Sequence, residues 1–111
     1  MNVRETRQGA VTVLRPDGPV TGADAGELRS AIQRALARSL GRMVLDVSET
    51  PFVDSAGLET LVEAAEQLGA AGQAMRLCGA TATLREILDV TETAPLFEFF
   101  ADAGDATRSF L

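Results

Sequence analysis

The stretch Met43 to Leu68, MVLDVSETPFVDSAGLETLVEAAEQL, constrains the fold more than any other part of the chain. Met43, Val44, Leu45 and Val47 make a near-continuous apolar run, the pattern of a strand covered on both faces. Pro51 then forbids a regular element in the short polar loop that follows. Past the loop, Leu58, Leu61, Val62, Ala65 and Leu68 recur at i, i+3, i+4, i+7 and i+10, which predicts a helix laying one apolar stripe on a sheet. Ser55 falls at the start of that helix, where first-turn N–H groups lack intrahelical partners and the macrodipole is positive. Asp54 or Ser55 can cap the helix, and Ala56 and Gly57 leave the backbone open to a partner or a phosphate group. Taken alone, the dipeptide reads equally as an ordinary N-cap, since Asp and Ser are the usual capping residues.

The rest of the chain alternates around this junction. Val3 to Thr6 and Ala10 to Arg15 predict an opening hairpin about Gln8-Gly9, ended by Pro16-Asp17-Gly18-Pro19. A first helix is expected to begin between Thr21 and Ala25, where Thr21-x-x-Asp24 and Asp24-x-x-Glu27 offer overlapping capping boxes. It carries Leu28, Ile32, Ala35, Leu36 and Leu40 on one face and stops at Gly41, with Arg29, Arg34 and Arg38 turned to solvent. Gly69-Ala70-Ala71-Gly72 closes the second helix, and Met75, Leu77 and Cys78 predict a short buried strand. Thr81 or Thr83 caps a third helix bearing Leu84, Ile87 and Leu88, with Thr83-x-x-Glu86 matching a capping box. After Pro95, Phe97 to Ala101 reads as a last strand with its phenylalanines in the core, and Asp105 to Leu111 as a short terminal helix. Such alternation predicts an α/β fold: a mixed four- or five-stranded sheet with three or four helices mainly on one face.

A chain of 111 residues fits one domain. It contains no His and no Lys, and every cationic side chain is Arg. Without His, and with Cys78 as the single cysteine, a zinc site lacks ligands and Ser-His-Asp or Cys-His catalysis cannot be assembled. Without Lys there is no P-loop of the usual kind and no Schiff-base nucleophile. A net charge of −6 opposes nucleic-acid binding through a basic surface. The expectation is a non-enzymatic protein with no cofactor and no metal. Cys78 has no disulfide partner and reads as a buried structural thiol. No apolar run approaches the roughly 18 residues that span a bilayer, and MNVRETRQG lacks the apolar core of a signal peptide, so a cytoplasmic location without membrane insertion is expected.

Arg42 to Leu61, RMVLDVSETPFVDSAGLETL, resembles the signature region of the STAS domain, specifically the bacterial anti-sigma-factor antagonists, in which a strand ending in Asp leads to Asp-Ser-(Ser/Thr)-Gly-Leu. The resemblance implies a STAS-like single domain over residues 1–111, its core spanning about 6–101. It further implies that Ser55 is the phosphorylation site, acted on by an anti-sigma factor that is itself a serine kinase. Phosphorylation releases the antagonist and a PP2C-type phosphatase restores it. The partner-binding surface so implied comprises Thr21, Asp24, Asp54, Ser55, Ala56, Gly57, Leu58 and Glu59. The alternative is a non-switching STAS adaptor, a stressosome-like scaffold or a soluble transporter subunit, in which Ser55 is only a cap. Small-ligand or nucleotide binding near Thr21 and Ser55 is a minor third reading that no Gly-rich phosphate motif supports.

Three positions depart from the family pattern. Thr21 follows Gly18-Pro19-Val20 where the family commonly has an acidic residue, and Asp24 comes three residues later. Ala56 replaces the second hydroxyl residue of the motif, leaving Ser55 as its one acceptor. Glu59, often Gly in the family, stands at i+4 from Ser55, where a phosphate would meet a like charge.

Overall fold

The hairpin, three helical crossovers and the last strand all form in a computed structural model that describes residues 1–111. Strands β1 (Asn2–Gln8), β2 (Val11–Asp17), β3 (Met43–Asp46), β4 (Met75–Cys78) and β5 (Phe97–Phe100) lie side by side in chain order. β1 runs antiparallel to β2, and every other pairing is parallel. The crossovers are α1 (Gly22–Ser39), α2 (Ser55–Ala70) and α3 (Ala82–Val90), and a short α4 (Ala103–Arg108) follows β5. This is an α/β fold: a five-stranded mixed sheet with four helices.

Register explains why β3 is apolar from Met43 to Leu45. Leu14, Leu45, Leu77 and Phe99 form one row across the sheet, where the three leucines join Leu28, Ile32, Leu61, Leu68, Leu84 and Leu88 in the main core. Val13 and Val44 point the opposite way and, with Val11, Cys78 and Ala106 of α4, make a second buried cluster. A strand packed on both faces has no polar side to show. Burial pushes the Cys78 thiol up to about 12, with the nearby Asp46 carboxylate adding to the shift, so the thiol is inert at neutral pH.

Several boundaries differ from the sequence expectation. The hairpin turn falls at Gly9-Ala10, with Gly9 left-handed at φ +64°. β2 continues through Pro16 to Asp17, because pairing with β3 ends at Leu14 and the missing N–H interrupts no ladder on that side. α1 ends in a left-handed turn that begins at the exposed Leu40 (φ 53°) and continues at Gly41 (φ 86°). α3 is capped by Thr81, whose hydroxyl accepts the Leu84 N–H at 3.1 Å and donates to the Pro51 carbonyl at 3.2 Å. Anchored there, Thr81 stays extended and Thr83 is already helical, so the Thr83-x-x-Glu86 box does not form. β5 stops at Phe100, and of its phenylalanines only Phe97 is fully buried. As residues of an edge strand, Phe99 and Phe100 stay half-buried, Phe99 beneath the Arg85 guanidinium at 3.7 Å. α4 begins earlier than expected, capped by Asp102, and Phe110 lies past its end. Arg29 is not simply solvated: it pairs with Glu63 of α2 at 3.0 Å, while Arg38 pairs with Glu5 of β1. No helix is long and apolar enough to cross a membrane.

Candidate functional site

At the carboxyl ends of β2 and β3 two loops run parallel long enough to form a bridge between Val20 and Val53. The Val20 N–H donates to the Phe52 carbonyl at 3.2 Å, and the Asp54 N–H donates to the Val20 carbonyl at 3.1 Å. Both valines are buried, which fixes where α1 and α2 start. Gly57 permits this approach. A Cβ on Gly57 would lie 2.3 Å from the Val20 carbonyl oxygen, far inside contact distance, so close packing rather than backbone conformation demands glycine here.

Asp54 sits at the convergence of the two helices. Its Oδ1 accepts the Gly57 N–H at 2.9 Å, capping α2, and its Oδ2 accepts the Gly22 N–H of α1 at 2.8 Å. One carboxylate therefore serves two helix N-termini. The Gly57 N–H, and after it the Gly22 N–H, hold the Asp54 carboxyl below its ordinary value of 3.8. The division of labour frees Ser55: it is the first residue of α2 and exposed, while Asp54 does the capping.

The remaining predicted site residues fall around this pair of helix starts. Thr21 is the N-cap residue of α1, yet its side chain caps no backbone N–H; its hydroxyl reaches the half-buried Asp24 carboxylate at 3.4 Å. Neither capping box expected at Thr21 or Asp24 forms: the Thr21 hydroxyl donates to the Asp24 carboxylate instead of accepting its N–H, and the Gly22 N–H is taken by Asp54 from across the loop. Ala56 is half-buried, and its carbonyl accepts the Thr60 hydroxyl at 3.1 Å. Leu58 is turned inward against the core, and Glu59 is exposed one turn along α2. Sequence reasoning missed Phe52. It is 42% exposed although the backbone around it is pinned to Val20, so its ring stands on a fixed loop two residues before Asp54. The signal was available: Phe52 is the one aromatic residue ahead of Phe97, set in a polar loop.

Comparison with known proteins agrees with this fold. A STAS domain family model matches residues 2–106. No curated protein sequence matches the chain. Among solved structures, a candidate anti-sigma factor antagonist from Thermotoga maritima superposes with a TM-score of 0.86 at 15% identity, covering 96% of this chain and 92% of that one. The Bacillus cell fate determinant SpoIIAA in its phosphorylated form gives 0.73 at 17% identity, with 99% and 100% covered. A sulfate transporter family protein from Wolinella succinogenes gives 0.71 at 17% identity, with 95% and 87% covered. At such identities the likeness establishes the fold, and function has to be argued from the site.

Proposed function

The chain belongs to the STAS domain family, and we propose that within it the protein is a phosphorylation-regulated anti-sigma-factor antagonist. It binds an anti-sigma factor with serine kinase activity when Ser55 is unmodified, is released when Ser55 is phosphorylated, and is restored by a PP2C-type phosphatase. The observation that carries this reading is the exposed Ser55 on the first turn of α2, relieved of capping by Asp54. A kinase can take that hydroxyl without unfolding the helix.

Phosphate at Ser55 adds about −1.5 to −2 charge at neutral pH over helix N–H groups that tolerate an anion. Asp54 and the exposed Glu59 flank it with like charge. At the centre of a contact surface, a desolvated and unpaired phosphate costs several kcal/mol, enough to release a partner without rearranging the domain. Thr21, Asp24 and Ala56 complete the proposed surface, with Gly57 and Leu58 lying beneath it rather than on it, and the exposed ring of Phe52 extends it.

The likeness to the Wolinella succinogenes transporter-family protein favours a second reading, a non-switching adaptor. Calorimetry with the anti-sigma factor separates the two. Ser55→Ala should bind like the wild type, whereas Ser55→Glu should lose about tenfold or more, roughly 1.4 kcal/mol, with melting nearly unchanged. Incubation with the kinase and ATP should add one phosphate, abolished by Ser55→Ala. Equal affinities for all three proteins would hand the case to the adaptor.

A further inference from the structure

Arg4 of β1 and Arg15 of β2 are paired across the hairpin, and each donates its Nε–H to the same carboxylate, Asp17, at 3.2 and 3.1 Å. Asn2 Nδ2 also donates to Asp17, at 3.3 Å. Asp17 thus acts as a strut that fixes two guanidinium groups through their Nε atoms, and no protein acceptor takes their Nη groups. These side chains form one wall of an open cleft of about 630 Å³. The facing wall comes from Ser48, Glu49 and Pro51 of the β3–α2 loop and from Thr81 at the start of α3. Gly79 sets the position of Ser48: a Cβ on this left-handed residue would lie 2.8 Å from the Ser48 Cβ. The Ser48 N–H is bonded to Asp46 Oδ1 at 3.0 Å, and its side chain is exposed.

We propose that this cleft is an oxyanion site that takes the phosphate group of a small, water-soluble phosphomonoester. The Nη groups of Arg4 and Arg15 bind it, with the Ser48 hydroxyl as a third donor. Two held guanidinium groups match the oxygens of a phosphate better than flexible ammonium groups do, because their planar donors are already oriented. The lining is mainly polar, with Pro51 its one apolar ring, so the cleft offers little to an acyl chain. Glu49 at the rim opposes the anion and keeps affinity modest. Gly18 and Pro51 lie on the two loops that continue to Val20 and Val53. Occupancy therefore ties the hairpin to the loop that presents Ser55. The site stands apart from the Ser55 reading, and its test uses neither kinase nor anti-sigma factor.

The full chain is titrated with inorganic phosphate and with glycerol 3-phosphate at constant ionic strength, following backbone amide shifts. Saturable shifts at Arg15, Gly18 and Ser48 are expected, with a dissociation constant on the order of millimolar and a melting temperature that rises with ligand. Arg15→Gln should weaken binding by about tenfold or more, and the exposed Glu49→Gln should tighten it by about threefold. If Arg15→Gln fails to fold, Arg4→Gln and Glu49→Gln carry the same comparison from opposite directions. The proposal is overturned by shifts that do not saturate, by equal shifts with chloride, by variants that bind like the wild type, or by binding seen only with anionic phospholipid vesicles.

Discussion

The two helix starts that meet at Asp54 are built in opposite ways. α2 carries its own cap, since Asp54 precedes it and bonds the Gly57 N–H three residues on. α1 has a capping residue in the right place, Thr21, and does not use it; its Gly22 N–H is served by the same Asp54, 32 residues away in sequence. One start is locally determined and the other depends on tertiary structure. The site exists because the second leans on the first, so damage at Asp54 or Gly57 should spread from α2 to α1, whereas damage at Thr21 should go nowhere.

Gly57→Ala should have the largest effect. Helix propensity alone favours alanine over glycine by up to about 1 kcal/mol. Sterics oppose it, because the new Cβ would lie 2.3 Å from a backbone carbonyl held in the Val20–Val53 bridge. Backbone cannot yield as a side-chain tip can, so the expected outcome in urea denaturation is a net loss of about 3 kcal/mol. A gain in stability would show that the two loops are not locked together.

Asp54 comes next, and two variants divide its roles. Asp54→Ala removes both caps. Asp54→Asn keeps one acceptor oxygen and replaces the other with an NH₂ donor, so it can cap α2 but cannot also accept from Gly22. Hydrogen exchange should accelerate at Gly22 in both variants and at Gly57 only in the alanine variant. The pH dependence follows from the same bonds. The folded carboxyl titrates below its unfolded value near 3.8, so its stabilisation is complete above that value and is lost as pH falls through the folded pKa. Both variants should therefore lose part of the wild-type decline in melting temperature under acid, and an unchanged acid limb would contradict the assignment.

What was legible in the sequence follows the same division. The Asp54–Gly57 cap spans three residues and can be read from spacing, as can the β3 run that predicts a strand covered on both faces. The Gly22 bond, the Val20–Val53 bridge and the steric need for Gly57 join residues more than thirty positions apart, and nothing in local pattern encodes them. Thr81 and Thr83 make the point in miniature. Both are plausible caps by composition, and the choice is settled by the Pro51 carbonyl from another loop. Phe52 escaped because a phenylalanine reads by default as core, and its exposure depends on Val53 taking the inward side of the segment.

The smallest expected effect is the sharpest test of the comparison, because it sets two threonines in equivalent positions against each other. Thr81 caps α3 through a 3.1 Å bond from the Leu84 N–H, and Thr81→Ala should cost about 1 kcal/mol, the usual value for a working cap. Thr21 occupies the same place before α1 with the same extended backbone, but its hydroxyl bonds no helix N–H and makes one long contact, 3.4 Å, to Asp24. If capping of α1 has passed to Asp54, Thr21→Ala should change stability by no more than about 0.5 kcal/mol. The two hydroxyls share no hydrogen-bond partner, so their effects should add in the double mutant. A loss at Thr21 as large as that at Thr81 would mean that α1 caps itself in solution, and the dependence of one helix start on the other would have to be abandoned.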